Sequence, residues 1–182
     1  MNEIIAFLIG TAINIWLSWR SLRVPGTHGF YRFFAWEALL ALIILNFEPW
    51  GQDPFSPHQL SSWLLILLSL TLVYLGVWQL KRVGRGGEER SDTTLYEFEK
   101  TTRLVTSGIY AYIRHPMYVS LLVLAWGAFL QAPSTVGSLL AALASLLLWL
   151  TALADERECL AYFGTEYADY MRRTRRFIPG LY

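Results

Sequence analysis

Apolar residues run along this chain in long blocks separated by polar intervals. Five blocks, 4–19, 33–47, 63–80, 116–131 and 134–154, approach the roughly 20 residues a helix needs to cross a bilayer at about 1.5 Å per residue. The first, second and fourth are short, and tilt, local thinning or partial insertion would accommodate them. The polar intervals alternate in character. The N-terminus, the acidic interval around Glu48 and Asp53 and the turn at Pro133 carry no Lys or Arg, whereas all 15 basic residues fall within 20–32, 81–114 and 157–176. Such alternation predicts an N-terminus outside and a C-terminus in the cytoplasm. The opening MNEIIAFLIG has neither a basic lead-in nor a small-residue cleavage site, so the first helix is expected to be retained.

Composition supports the pattern. At 54% hydrophobic with eight Trp, the chain has more apolar surface than one soluble core of 182 residues can bury, and the surplus implies lipid. The expected fold is all-α: a polytopic membrane protein of about five transmembrane helices with a cytoplasmic C-terminal amphipathic helix, forming one domain over 1–182. The net charge of +1 only averages over the segregated basic clusters. With Cys159 as the single cysteine, no internal disulfide or thiol-based zinc cluster can form. His28, His58 and His115 lie in different intervals without metal-ligand spacing, so no metal is expected. The stretch GRGGEERSD lacks the strand and helix context and the Lys followed by Ser/Thr of a phosphate loop and reads as linker. The whole 81–115 interval is long enough to cover a site on the cytoplasmic face.

Candidate chemistry gathers beside the fourth and fifth blocks. In GIYAYIRHPMY, Arg114 and His115 precede Pro116, a residue suited to the first position of a helix. The unpaired N–H groups there, with Arg114, would suit a carboxylate or phosphate, flanked by Tyr110 and Tyr118. Equally, Arg, His and Tyr could simply anchor a helix among headgroups. The fifth block ends at Asp155 and Glu156, where the helix end is already negative and a cation would be welcome. The tight 131–134 turn makes the two helices neighbours and places the acids roughly 10 Å from Arg114, a ligand-sized gap. In the alternative, Arg157 and the RRTRR tail neutralise the acids. Leu160, Phe163, Tyr167 and Tyr170 form a stripe that predicts an interfacial helix, and Glu37 would face the bundle interior or snorkel to the interface.

Taken together, RLVTSGIYAYIRHPMY and DERECLAYFGTEYADYMRRTRRFIPG resemble the isoprenylcysteine carboxyl methyltransferase family and its phospholipid methyltransferase relatives, from Thr102 onward. The resemblance implies S-adenosyl-L-methionine held in a cytoplasm-facing pocket built from about 95–182, without a Rossmann domain. It implies cofactor contacts from Thr102, Arg103, Leu104, Val105, Tyr110, His115, Pro116, Met117, Tyr118 and Asp155 or Glu156, with Arg114, His115 and Glu156 as catalytic candidates. The acceptor would be a lipophilic small molecule or lipid drawn from the bilayer of a bacterial or archaeal cell, with no nucleic-acid partner. Carboxyl methylation of an isoprenylcysteine-type thioether stands first, beside N-methylation of an amine phospholipid, S-methylation of a small thiol and a non-catalytic module of the same fold. A carboxylate or thiolate needs no base; an amine would need His115 or an acid of the pair to take its proton. One departure bears on the acceptor. Members acting on prenylcysteine carboxylates usually carry an arginine one turn before the acidic pair, where this chain has Trp149, Leu150, Thr151, Ala152 and Leu153; Arg103, Arg157 or Arg175 would have to substitute.

Overall fold

The computed structural model describes residues 2–84 and 100–180. Its elements are α1 (Asn2–Leu22), α2 (His28–Leu45), α3 (Pro57–Val83), a 3₁₀ helix (Gly108–Ala111), α4 (Pro116–Gln131), α5 (Thr135–Phe163) and α6 (Thr165–Arg173). Local chemistry sets the boundaries. Thr27 and Ser134 accept the N–H groups of Phe30 and Gly137 and so cap α2 and α5, while Pro57 and Pro116 open α3 and α4. Gly164, at φ 59°, breaks α5 from α6. Most of the GRGGEERSD stretch read as linker lies outside the described residues.

The chain is a multi-pass membrane protein. Among the described residues, four helices, α1, α2, α3 and α5, are long and apolar enough to cross a bilayer. The expected fifth, α4, has 16 residues and extends about 24 Å, less than a typical hydrocarbon core of about 30 Å. The fifth block was expected to end at 154, but α5 continues to Phe163. Twenty residues from Thr135 reach about 30 Å, so Asp155 and Glu156 begin the part of α5 that outruns a bilayer's apolar core.

Helix α1 packs on α2, α2 on α5, α5 on α4 and α4 on α3. Small residues make the central seam close: Ala38, Ala125, Ala128, Ala141 and Ala144 surround Leu39 and Leu42. Where lipid offers no hydrophobic drive between helices, such close approach and buried hydrogen bonds supply the cohesion. Ser62 Oγ donates to the Gly127 carbonyl and Gln131 Nε2 donates to Ser62 Oγ, each at 2.6 Å, joining α3 to α4. Glu37 faces α1, accepting from Thr11 Oγ1 at 2.7 Å and Asn14 Nδ2 at 2.6 Å. Arg32, counted as part of a loop from sequence, lies within α2, buried over the Trp36 ring.

Candidate functional site

The end of α3, the starts of α2 and α4, the end of α5 and α6 gather at one side of the bundle because successive helices alternate in direction. Between them lies a cavity of about 100 Å³ that opens to solvent. Of the residues singled out from sequence, Leu104, Val105, Tyr110, Arg114, His115, Pro116, Met117, Tyr118 and Asp155 line it. Thr102, Arg103 and Glu156 are not among its lining residues. The two acids therefore separate by one step of a helix: Asp155 toward the cavity, Glu156 away from it.

The expected 10 Å gap between Arg114 and the acids does not exist for Glu156. Arg114 Nε donates to Glu156 Oε1 at 2.8 Å, and its Nη1 donates to the Thr174 carbonyl at 2.7 Å. Arg176 adds a two-pronged contact, Nε to Oε1 at 3.0 Å and Nη2 to Oε2 at 2.7 Å. The tail reaches this position by backbone pairing: Arg175 N donates to the Tyr112 carbonyl at 3.1 Å, and Arg114 N donates to the Arg175 carbonyl at 2.8 Å. A short parallel bridge between Ile113 and Arg175 results. Neutralisation of an acid by the tail thus holds for Glu156 and Arg176, while Arg157 turns aside to the Gly26 carbonyl.

Asp155 has a different environment. Its Oδ2 accepts from the Tyr118 hydroxyl at 3.0 Å and lies 3.5 Å from His115 Nδ1. His115 stacks on the Tyr118 ring, with centroids 5.2 Å apart, and its Nε2 lies 3.3 Å from Glu156 Oε1. Both ring nitrogens therefore face carboxylates, an arrangement that only the doubly protonated imidazole satisfies at once. Burial opposes that charge, but hydrogen bonds to Asp155 and Glu156 outweigh it and raise the His115 pKa above its ordinary value. This geometry disfavours the expected role of His115 as a proton acceptor, because its ring lies between two carboxylates that favour its charged form.

Several lining residues escaped the sequence reading. His28, Leu80, Thr101, Cys159, Phe163, Tyr167 and Tyr170 complete the cavity. Tyr167 and Tyr170 were read as one stripe of an interfacial helix, yet both are buried, and Tyr170 Oη donates to the Tyr110 carbonyl at 2.6 Å. Burial pushes both phenols up, keeping them neutral donors at ordinary pH. The mixed charged and aromatic composition of α6 concealed this, because its inward side has only two large residues. Among the described residues, no three His, Cys, Asp or Glu side chains converge as a metal set would require.

The profile of the phospholipid methyltransferase family matches residues 58–166, more than half of the chain. The chain belongs to that family. The match begins at the start of α3, well upstream of the Thr102 boundary drawn from the motifs. Among relatives, the cobalt-zinc-cadmium resistance protein CzcN of Cupriavidus metallidurans is 38% identical over 79% of this chain and 59% of its own. The protein-S-isoprenylcysteine O-methyltransferase of Schizosaccharomyces pombe is 32% identical over 52% of this chain and 41% of its own. The methanethiol S-methyltransferase of Crocosphaera subtropica is 27% identical over 81% and 54%. The chain spans about half the length of these curated relatives. No solved structure matches it significantly. Within the family frame, the matched segment includes the whole α4–α5 hairpin with Arg114, Asp155 and Glu156, but stops before Arg176.

Proposed function

We propose that this family member is an integral membrane methyltransferase that uses S-adenosyl-L-methionine and a lipophilic acceptor. The observation that carries the reading is the cavity at the α4–α5 end, where one pocket combines an acid, aromatic rings and apolar walls. The donor set fits the cofactor: Asp155 suits its ammonium or sulfonium charge, the rings of Tyr110 and Tyr170 offer faces to a cation or a base, and Leu104, Val105 and Met117 offer apolar contact. When bound, the cofactor supplies an electrophilic methyl group. The protein's part is to align the acceptor and exclude water, while His115 and Tyr118 hold Asp155 in place. The Arg114–His115–Arg176 cluster around Glu156 braces this pocket, and Arg114 and His115 also line it.

In this reading α4 is a fifth, short span, the basic ends face the cytoplasm, and the chain acts as one domain. Carboxyl methylation of an isoprenylcysteine-type acceptor has support from the fission-yeast relative's name and S-methylation from the cyanobacterial one. Thr151, one turn before the acids, is fully buried and donates to the Leu147 carbonyl, so no guanidinium enters the pocket from that position.

The test is calorimetric binding of S-adenosylhomocysteine to detergent-purified protein, beside Asp155→Asn. Micromolar binding is expected, weakened at least about tenfold by the substitution, since a hydrogen bond to a charged group contributes about 1.5–3 kcal/mol. Absence of binding by the wild type would overturn the reading in favour of a non-catalytic module of the same fold.

A further inference from the structure

His28 belongs to neither motif, yet it opens α2, is 1% exposed and lines the same cavity as Asp155 and His115. Glu158, one turn beyond Asp155 on α5, clamps it twice. The His28 backbone N–H donates to Oε1 at 2.8 Å, and ring Nδ1 lies 2.6 Å from Oε2. A carboxylate on Nδ1 holds the proton there and leaves Nε2 as the basic atom, the arrangement by which a carboxylate orients a general base. Capping α2 does not by itself account for the pair, because Thr27 already accepts the Phe30 N–H.

We propose that the His28–Glu158 pair is the base that receives a proton from the methyl acceptor, and that the acceptor is accordingly a thiol or an amine instead of a carboxylate. This inference rests on the methyltransferase reading. Its other support is the commitment of neighbouring groups. His115 stands between two carboxylates, and Arg114, the one guanidinium among the described lining residues, has Nε on Glu156 and Nη1 on Thr174. A carboxylate acceptor would find no uncommitted Nε edge there, whereas an S–H or ammonium group would find a base. In the step, the acceptor's S–H or N–H bond breaks and its proton passes to His28 Nε2. Its electron pair forms the new bond to the methyl carbon, and the pair of the broken carbon–sulfur bond stays on the cofactor sulfur.

The experiment combines three readouts on the detergent-purified full chain, the wild type beside His28→Gln and Glu158→Gln. Methyl transfer from labelled S-adenosylmethionine is measured to ethanethiol, to thiophenol, to dioleoylphosphatidylethanolamine and to N-acetyl-S-farnesylcysteine. His28→Gln should lower kcat about 100-fold or more for ethanethiol or the amine lipid, but only a few-fold for thiophenol, which is largely ionised at neutral pH. Equal losses across the acceptors, no loss, or transfer to the farnesylcysteine alone would overturn the inference. Nitrogen-15 histidine spectra provide a readout without turnover: at pH 7 the His28 signal should show protonated Nδ1 and unprotonated Nε2, and Glu158→Gln should shift that balance. A doubly protonated His28 at that pH would overturn the proposal. Binding of S-adenosylhomocysteine to the wild type separates the two levels: its absence removes the methyltransferase reading and this inference together, while binding with indifferent kinetics removes only the base.

Discussion

Arg114 Nε donates to Glu156 Oε1 over 2.8 Å, joining the segment just before α4 to the last turns of α5 with both side chains almost wholly buried. Arg176 and His115 converge on the same carboxylate, so three cationic groups share one anion. Removing one member of a buried ionic cluster leaves the others unpaired in a poor solvent for charge.

Glu156→Gln should therefore destabilise the protein by about 3–5 kcal/mol, a cost typical of breaking a buried pair. Chemical unfolding in detergent would measure it. Adding Arg176→Gln should restore part of the loss, because the second change removes one of the stranded cations. An unaltered unfolding midpoint in the single variant would show that the cluster is not a brace.

His115 makes stability depend on pH in a defined direction. A histidine whose native pKa lies above its unfolded value binds protons on folding, so its contribution is complete below about pH 6.5 and is lost as pH climbs through the raised native value. Between those limits the wild type should lose stability relative to His115→Gln as the pH rises. Thermal midpoints of both proteins from about pH 5.5 to about pH 9 would check the sign; a gap between them that stays constant or widens with pH would contradict it.

Gly108 opens the 3₁₀ helix that carries Tyr110, at φ +63°, and a Cβ built there would lie 2.9 Å from Gln79 Cδ. Gln79 Nε2 in turn donates to Ser107 Oγ at 2.7 Å. Gly108→Ala should cost about 1–2 kcal/mol from the left-handed backbone alone and displace the Gln79 contact as well. We expect a lower unfolding midpoint together with weaker S-adenosylhomocysteine binding, since Tyr110 lines the cavity. Substitution to Ala at Gly180, where no atom lies within 4 Å of the added Cβ, serves as the control for a positive φ without crowding.

The membrane class, the helical blocks and the neighbouring α4–α5 motifs were legible from the chain because hydropathy and charge act locally and register directly in residue order. So was the grouping of Arg114, His115 and Asp155, which line one cavity. The direct Arg114–Glu156 pair was not legible. It depends on a tail strand that pairs with 112–115 from some 60 residues away, a contact that no periodicity records. Tyr167 and Tyr170 were misjudged for a similar reason: an amphipathic stripe specifies which residues share a side but not whether that side meets lipid or protein.

What the amino-acid order determined by itself is an all-α membrane chain with its basic charge at alternate helix ends, a consequence of the cost of leaving backbone groups and charges in hydrocarbon. Only tertiary structure decided how the two adjacent acids divide. One residue of helix rotation, about 100°, turns Asp155 into the cavity and Glu156 into the Arg114–Arg176 brace, and the same end of α5 brings Glu158 to His28. Those assignments arise from where three other chain segments converge on one helix end, and convergence in space leaves no mark on the spacing of residues along α5.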